Sequence, residues 1–269
     1  MKRFLVVLFY FLCINHLSYT QCAADNDAIQ AGEGLVYNLK FNWKFVWVDA
    51  GTARMSVQST VYNDRPCFKT SLISVSNKKV DFFFKMRDTL TSISTTKLEP
   101  LYFRKGAEEG KRYTIDQAWF SYKDGYCTVN QKRTHKSGEV KTSSNTSKQC
   151  VFDMLTILLQ ARSYDASKYA VGQKINFLMA TGRKVEEQTL IYRGKEIFTS
   201  ENGVKYRCLV FSLVEYKNRK EKEVITFYVT DDKNHLPVRL DLFLNFGSAK
   251  AFLKSVRGNK YPLTSIITD

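Results

Sequence analysis

Histidine and proline are scarce in this chain, three and four among 269 residues, and each shortage removes a class of function. Once the leader described below is set aside, His135 and His235 remain. They form no His-x-x-x-His or similar pair, so no metal site is expected. No Pro-, Gly- or Ser-rich stretch separates one part of the chain from another as a linker would. No Gly-rich phosphate loop, nucleophile elbow or dinucleotide fingerprint occurs, so neither a catalytic residue nor a cofactor is expected. Beyond the first two dozen residues, no apolar run approaches the roughly 20 residues of a spanning helix. The best candidate, Val151 to Leu159, is far too short.

The amino end supplies the clearest positive signal. Lys2 and Arg3 precede an apolar run, Phe4 to Ile14, followed by polar residues from Asn15 to Gln21. That is the pattern of a secretory signal peptide, assigned to residues 1–24, with residues 25–269 forming a single β-rich domain. Cleavage fits after Thr20 or after Ala24. A lipid-modified start at Cys22 is disfavoured, because Tyr19-Thr20-Gln21 lacks the apolar and small residues such a signal places before its cysteine. The expected address is the periplasm or the cell surface. An outer-membrane barrel fits less well, since the chain ends Ile266-Ile267-Thr268-Asp269 instead of on an aromatic residue, and a buried-looking helix interrupts the strands.

Charge is strongly one-sided. Lysine and arginine number 41 against 26 acidic residues, a net charge of +15; Lys2 and Arg3 account for two of these, which leaves +13. Lys78-Lys79, Arg104-Lys105, Lys111-Arg112, Lys132-Arg133 and Lys217 to Lys222 are scattered over loops and strand ends, which reads as solvated faces. Export removes nucleic acid as a partner and leaves anionic lipid head groups or acidic glycans, with peripheral association to the envelope. Of six cysteines, Cys13 leaves with the leader and Cys22 lies at its margin. Cys67, Cys127, Cys150 and Cys208 have no metal-ligand spacing, and at least half of them read as small buried apolar residues.

Apolar and polar residues alternate with period two. Leu35, Tyr37, Leu39 and Phe41 share one face, as do Ala53, Met55, Val57 and then Val61; Tyr113–Tyr122, Lys174–Met179, Gln188–Tyr192, Tyr206–Val214, Val224–Val229 and Val238–Leu244 repeat the pattern. These are half-buried strands, punctuated by turns at Asp64-Arg65-Pro66, Lys123-Asp124-Gly125, Glu201-Asn202-Gly203 and Asp231 to Pro237. Thr134 to Ser147, the most polar stretch, reads as a long exposed loop. From Val151 to Ala161 the spacing turns helical, with Ser144, Thr146 and Ser147 as upstream capping hydroxyls. A helix apolar nearly all round is a buried one, expected to pack on the concave side of a curved sheet. The fold expected is mainly antiparallel β, a large barrel or sandwich, with one buried helix near residues 150–162.

Few residues invite chemistry. Glu108-Glu109 and Asp231-Asp232 are carboxylate pairs of the kind a glycoside hydrolase uses, although their Gly, Asn and Pro neighbours favour turns. Asp231, Asp232 and Asn234 lack the oxygen ladder of a calcium loop. Asp153 is a carboxylate in an apolar helix, and such a group needs a partner; Arg162, nine residues on, is too far along the helix to be it. Asp88-Thr89-Leu90 and Asn145-Thr146-Ser147 match short glycosylation triplets.

In their order, several of these pieces resemble a known family: Gly32-Glu33 with Leu35 and Tyr37; Ala50-Gly51; Asp88 followed by Leu98 and Pro100; Asp153-Met154-Leu155-Thr156 with Arg162; Asp231-Asp232 with Asn234, Pro237 and Val238; and Gly247 ahead of Ala251 and Leu253. The chain resembles the exported Gram-negative, Bacteroidetes-like proteins grouped as domain of unknown function 3108, departing at Thr156 and Leu159, where that family often has Ser and an aromatic residue. The resemblance implies a split barrel of curved antiparallel sheets around a helix, similar to capsule-associated lipoproteins, with no catalytic residue to carry over. Asp153, Arg162 and Asp232 match family positions and are the candidate binding residues. The expected function is that of a non-enzymatic envelope protein holding a lipid, a glycan or an envelope partner in its aromatic-rich concave face, with Phe82-Phe83-Phe84, Phe103, Tyr113, Phe120 and Tyr122 as lining. The alternative is a polysaccharide hydrolase or lyase using the paired carboxylates. Oligomeric state is left open.

Overall fold

The structure, a computed structural model, describes residues 22–43, 46–82, 85–244 and 247–268; the expected signal peptide lies outside these apart from Cys22 to Ala24, as do Phe83 and Phe84. The first half is a meander: β1 (Gly34–Trp43), β2 (Val46–Tyr62), β3 (Arg65–Ser76), a short helix α1 (Lys78–Asp81), β4 (Met86–Thr95), β5 (Pro100–Glu109), β6 (Arg112–Lys123), β7 (Tyr126–His135) and β8 (Val140–Ser147). Then come β9 (Val151–Phe152), α2 (Met154–Ala161) and a 3-10 turn, Ala166–Lys168. A second meander follows, of β10 (Lys174–Ala180), β11 (Val185–Thr199), β12 (Lys205–Lys217), β13 (Lys220–Thr230), β14 (Pro237–Leu244) and β15 (Gly247–Arg257). A final β16 (Ile266–Ile267) pairs with β12.

The meanders join where β1 pairs antiparallel with β15, so that one sheet runs from β8 through β1 and β15 to β9. It bends into a nearly closed barrel whose unsealed seam lies between its two edges, the split barrel that the resemblance implied. Two packed sheets, the sandwich option, do not form. Only β9 runs parallel to its neighbour, pairing Val151 and Phe152 with Leu178 and Met179. Close approach fixes Gly51, opposite the bulge between Leu39 and Lys40: a Cβ there would lie 2.1 Å from the Val75 carbonyl oxygen.

Antiparallel pairing sends successive turns to opposite rims. One rim carries the β1–β2, β5–β6, β7–β8, β10–β11, β12–β13 and β14–β15 turns together with α1, and is here the α1 rim. The other carries the β2–β3, β4–β5, β6–β7, β11–β12 and β13–β14 turns. Both described ends of the chain sit there: Ala24 N–H donates to the Lys97 carbonyl, and β16 pairs with Lys205 and Tyr206 at the start of β12. It is the terminal rim.

α2 lies on the concave side. Leu159 packs with Leu35, Tyr37, Met55 and Val57, and Leu155 with Phe103, Phe120, Val129 and Val151, so the helix joins two aliphatic clusters. Burying each leucine contributes roughly 1.5–3 kcal/mol. The expected ligand-holding concavity is therefore filled: Phe103 and Phe120 are core, whereas Phe82 and Tyr113 point outward.

Two expectations are corrected, those of the polar loop and of the helix, while the reading of the body cysteines as small buried residues holds for three of the four. Thr134–Ser147 is not a loop but the end of β7 and the whole of β8, an edge strand exposed on both faces, whose polar residues hid it. Val151 and Phe152 form β9, and the helix starts at Met154. The cap is Asp153, since Ser144, Thr146 and Ser147 belong to β8, and Met154 is exposed, so the helix is buried on one face only. Cys22 and Cys150 form a disulfide, while Cys67, Cys127 and Cys208 are free and buried.

Candidate functional site

The three candidate residues fall at the two ends of α2 and on one adjoining loop. At the start, Asp153 is fully buried, and its extended backbone lets the side chain fold back over the first turn. One carboxylate oxygen accepts the N–H groups of Leu155 (2.9 Å) and Thr156 (3.0 Å); the other accepts the hydroxyls of Thr156 (2.6 Å) and Ser92 (3.0 Å). This satisfies donors that a helix start leaves orphaned, and Ser92 ties the helix to β4. Burial pushes the Asp153 pKa up, against the pull of these four hydrogen bonds.

At the other end Arg162 is equally enclosed. Its guanidinium holds Glu33 in a two-pronged pair (2.6 and 2.8 Å) and donates twice to the Asn234 carbonyl (3.1 and 3.0 Å), while its own carbonyl meets the His235 ring at 2.6 Å. Asn234 binds the backbone of Tyr261 and Pro262 through its side chain and donates its N–H to Asp232 at 3.0 Å. Asp232 also accepts from the Thr230 hydroxyl (2.9 Å) and the Ser265 N–H (3.3 Å). Tyr37 donates to the Pro237 carbonyl, and burial raises its pKa, with the nearby Arg162 opposing and Glu33 reinforcing. Arg162 and Asp232 thus meet through Asn234, in a knot that binds the amino-terminal segment, the helix end, the β13–β14 loop and the carboxyl-terminal tail. Asp153 stands apart, at the other end of the helix, roughly 13 Å from Arg162 along the axis at 1.5 Å per residue.

Across the unsealed seam, side chains make bridging contacts in place of a ladder. Gln131 on β7 accepts the Gly182 N–H at 2.9 Å, and Arg133, paired with Asp116, reaches the Thr181 carbonyl at 3.3 Å. Gly182 has φ +88°, and a Cβ there would strike the Asp116 carboxylate at 2.5 Å. Beside the seam lies an open cleft of about 440 Å³ lined by Lys148, Phe152, Asn176, Leu178 and Glu187; a second, of about 220 Å³, lies against Lys195, Arg207 and Asp231. Among the described residues no cluster of three or more histidine, cysteine or carboxylate side chains could hold a metal.

The sequence profile of a family described as protein of unknown function (DUF3108) matches residues 36–254. The chain belongs to the DUF3108 family. No curated protein matches it. In structure, this DUF3108 protein is similar to a β-barrel-like protein of domain of unknown function DUF1849 from Brucella abortus, with a TM-score of 0.53 at 10% identity, covering 84% of this chain and 96% of that one. A putative exported protein with a YmcC-like fold from Bacteroides fragilis aligns at a TM-score of 0.32 and 10% identity, covering 88% and 100%. The first likeness shows the barrel fold.

The motif residues of this DUF3108 chain that are far apart in sequence converge in the knot: Glu33, Tyr37, Arg162, Asp232, Asn234 and Pro237. Glu33 is the partner that sequence reasoning missed for Arg162; its place beside Gly32, just ahead of the first strand, was the available signal. The paired carboxylates do not meet. Glu108 and Glu109 bind Lys85 and Lys105 at the α1 rim, while Asp231 binds Lys195 at the terminal rim.

Proposed function

We propose that this DUF3108 protein is an exported, non-enzymatic component of the bacterial envelope that associates with a lipid, glycan or protein partner through its outer surface. The observation that carries this reading is the saturation of its candidate groups: Asp153, Arg162 and Asp232 are each occupied by hydrogen bonds that tie one segment of the fold to another. With the concave side filled by α2, binding is assigned to the exterior. Export is supported by the leader pattern and by the Cys22–Cys150 disulfide, a bond that persists in oxidising compartments. The same bond favours a mature start upstream of Cys22, and an Sγ held in a disulfide is not open to lipid attachment. The hydrolase alternative loses its motive, since its two acid pairs stand at opposite rims.

The test is fractionation of the native host, followed by native mass spectrometry of the protein from the periplasmic or envelope fraction. Recovery outside the cytoplasm, at a mass that retains Cys22 and lacks two thiol hydrogens, is expected. Recovery in the cytoplasm with its leader intact would defeat the reading.

A further inference from the structure

Once the strands pair, positive charge that looks evenly scattered along the sequence proves to be in excess on one rim. Lys78 and Lys79 on α1, Lys111 on the β5–β6 turn, Lys136 on the β7–β8 turn, and Arg219 and Lys220 at the β12–β13 turn are exposed and take part in no ion pair among the described residues. At the opposite rim Asp64, Asp124, Glu201 and Asp231 share their turns with Arg65, Lys123, Lys205 and Lys233, so that the charges there nearly balance.

The same rim exposes apolar side chains. Phe82, held out at the end of α1, is 86% exposed and Val46 is 61%; Trp47, Tyr113, Phe243 and Leu244 are each about 40% exposed. These residues sit on turns that are neighbours around the barrel, β5–β6, α1, β1–β2 and β14–β15 in that order. Helix α1 and the Trp47 ring are held in place by named contacts. Asn77 ties α1 to β2 through the Ala50 and Asp49 carbonyls, Arg87 and Ser76 hold Asp81, and Lys250 lies over the Trp47 ring at 4.6 Å. Aromatic and aliphatic tips interleaved with unpaired cations fit the boundary between lipid head groups and acyl chains, where rings and alkyl groups enter and cations stay at the phosphates. An acidic glycan would match the charge but would leave the exposed Val46 and Leu244 without an apolar environment. At the terminal rim the exposed Val61, Tyr126 and Ile197 lie among charges of both signs, Asp64 beside Arg65 and Asp124 beside Lys123, with no excess of cations to hold them to a negative surface.

We infer that the α1 rim is a docking surface for an anionic phospholipid bilayer, on which the barrel stands with its strands pointing toward the membrane and its terminal rim facing away. This rests on the envelope reading above and names its partner.

The experiment is co-sedimentation of the mature protein with vesicles of phosphatidylethanolamine and phosphatidylglycerol at 70:30, beside vesicles of phosphatidylcholine alone. Binding to the anionic vesicles that weakens with salt is expected, with little binding to the neutral ones. Each cation near such a surface contributes roughly a fivefold factor. The set Lys78→Glu, Lys79→Glu, Arg219→Glu and Lys220→Glu is therefore expected to lower binding at least tenfold. Trp47→Ser with Phe82→Ser and Phe243→Ser should weaken it several-fold while leaving the salt dependence intact. Thermal melting of each variant, unchanged to within a few degrees, separates lost docking from lost folding. Equal loss on reversing Lys97, Lys123 and Lys233 at the terminal rim would overturn the inference, as would equal binding to neutral vesicles. So would binding to polygalacturonate but not to vesicles, or a concentration-dependent assembly of copies that the α1-rim changes abolish. Cell fractionation tests the envelope reading by itself and the vesicles test the rim by itself, so the failure of either is recognisable.

Discussion

At the terminal rim, polar groups turn inward and are used up: Asn234 alone joins the helix end, its own loop and the carboxyl-terminal tail, and Arg162 reaches across to Glu33. At the α1 rim, turns of the same antiparallel kind leave lysines and arginines in solvent and aromatic side chains beside them. The difference teaches which end holds the barrel closed and which end is available to something else. A substitution at the first should be felt as stability, and at the second as association.

The sharpest test of that division is Glu33→Ala. It leaves a buried guanidinium without its counter-charge, which costs about 3–5 kcal/mol; at about 2–4 °C per kcal/mol for a domain of this size, the melting temperature falls by roughly 10 °C. A shift below 2 °C by circular dichroism would break the comparison at its strong end. Next is Cys150→Ser, which removes a cross-link between residues 128 apart and should cost about 2–5 kcal/mol, read as a lower urea midpoint. Asp153→Ala follows at about 2 kcal/mol, from the lost cap and the stranded Ser92 and Thr156 hydroxyls; a wild-type midpoint would mean that the helix start is held by something else.

Asp88, near the α1 rim, sharpens the comparison through pH. Burial lifts its carboxyl to about 6, and Lys105, at 4.0 Å, offsets this only in part; one of its oxygens lacks a hydrogen-bond partner among the described residues. A carboxyl whose folded pKa is raised holds its proton more tightly when native, so its contribution is full below about pH 4 and is lost as pH rises to about 6. Asp88→Asn should flatten that decline, by about 1 kcal/mol after solvent screening, in melts taken from pH 4 to 7; an unchanged slope would refute it. Smallest of all, reversing Lys78 or Lys220 should alter stability by less than about 0.5 kcal/mol. A larger loss in a urea titration would mean that the α1 rim also holds the barrel together.

The second meander was legible in the sequence because β11 to β14 place apolar residues inward and polar ones outward. β3 and β4 were not, because Thr70, Ser92 and Ser94 occupy buried positions and erase the alternation from the inward face. β8 was hidden for the opposite reason, being polar on both faces. Those omissions had a consequence beyond the strands themselves. Each missed strand reverses the assignment of every later turn to a rim, so the excess of lysines on one rim could not be read without the pairing. The knot was half visible: Arg162, Asp232 and Asn234 stood out as unusual residues, but nothing local links Glu33 to a helix 129 residues away. Asp153 was noticed as a buried charge, yet its role as the cap depended on where the helix starts, which the run of apolar residues from Val151 obscured.

Both described ends of the chain emerge on the same side of the barrel, away from the basic turns. A fluorescent protein, an affinity handle or a surface linker fused to either end would therefore hang from the terminal rim and leave the opposite face unobstructed. A sensor chip derivatised through such a fusion would display every molecule the same way up, with its cationic turns outward.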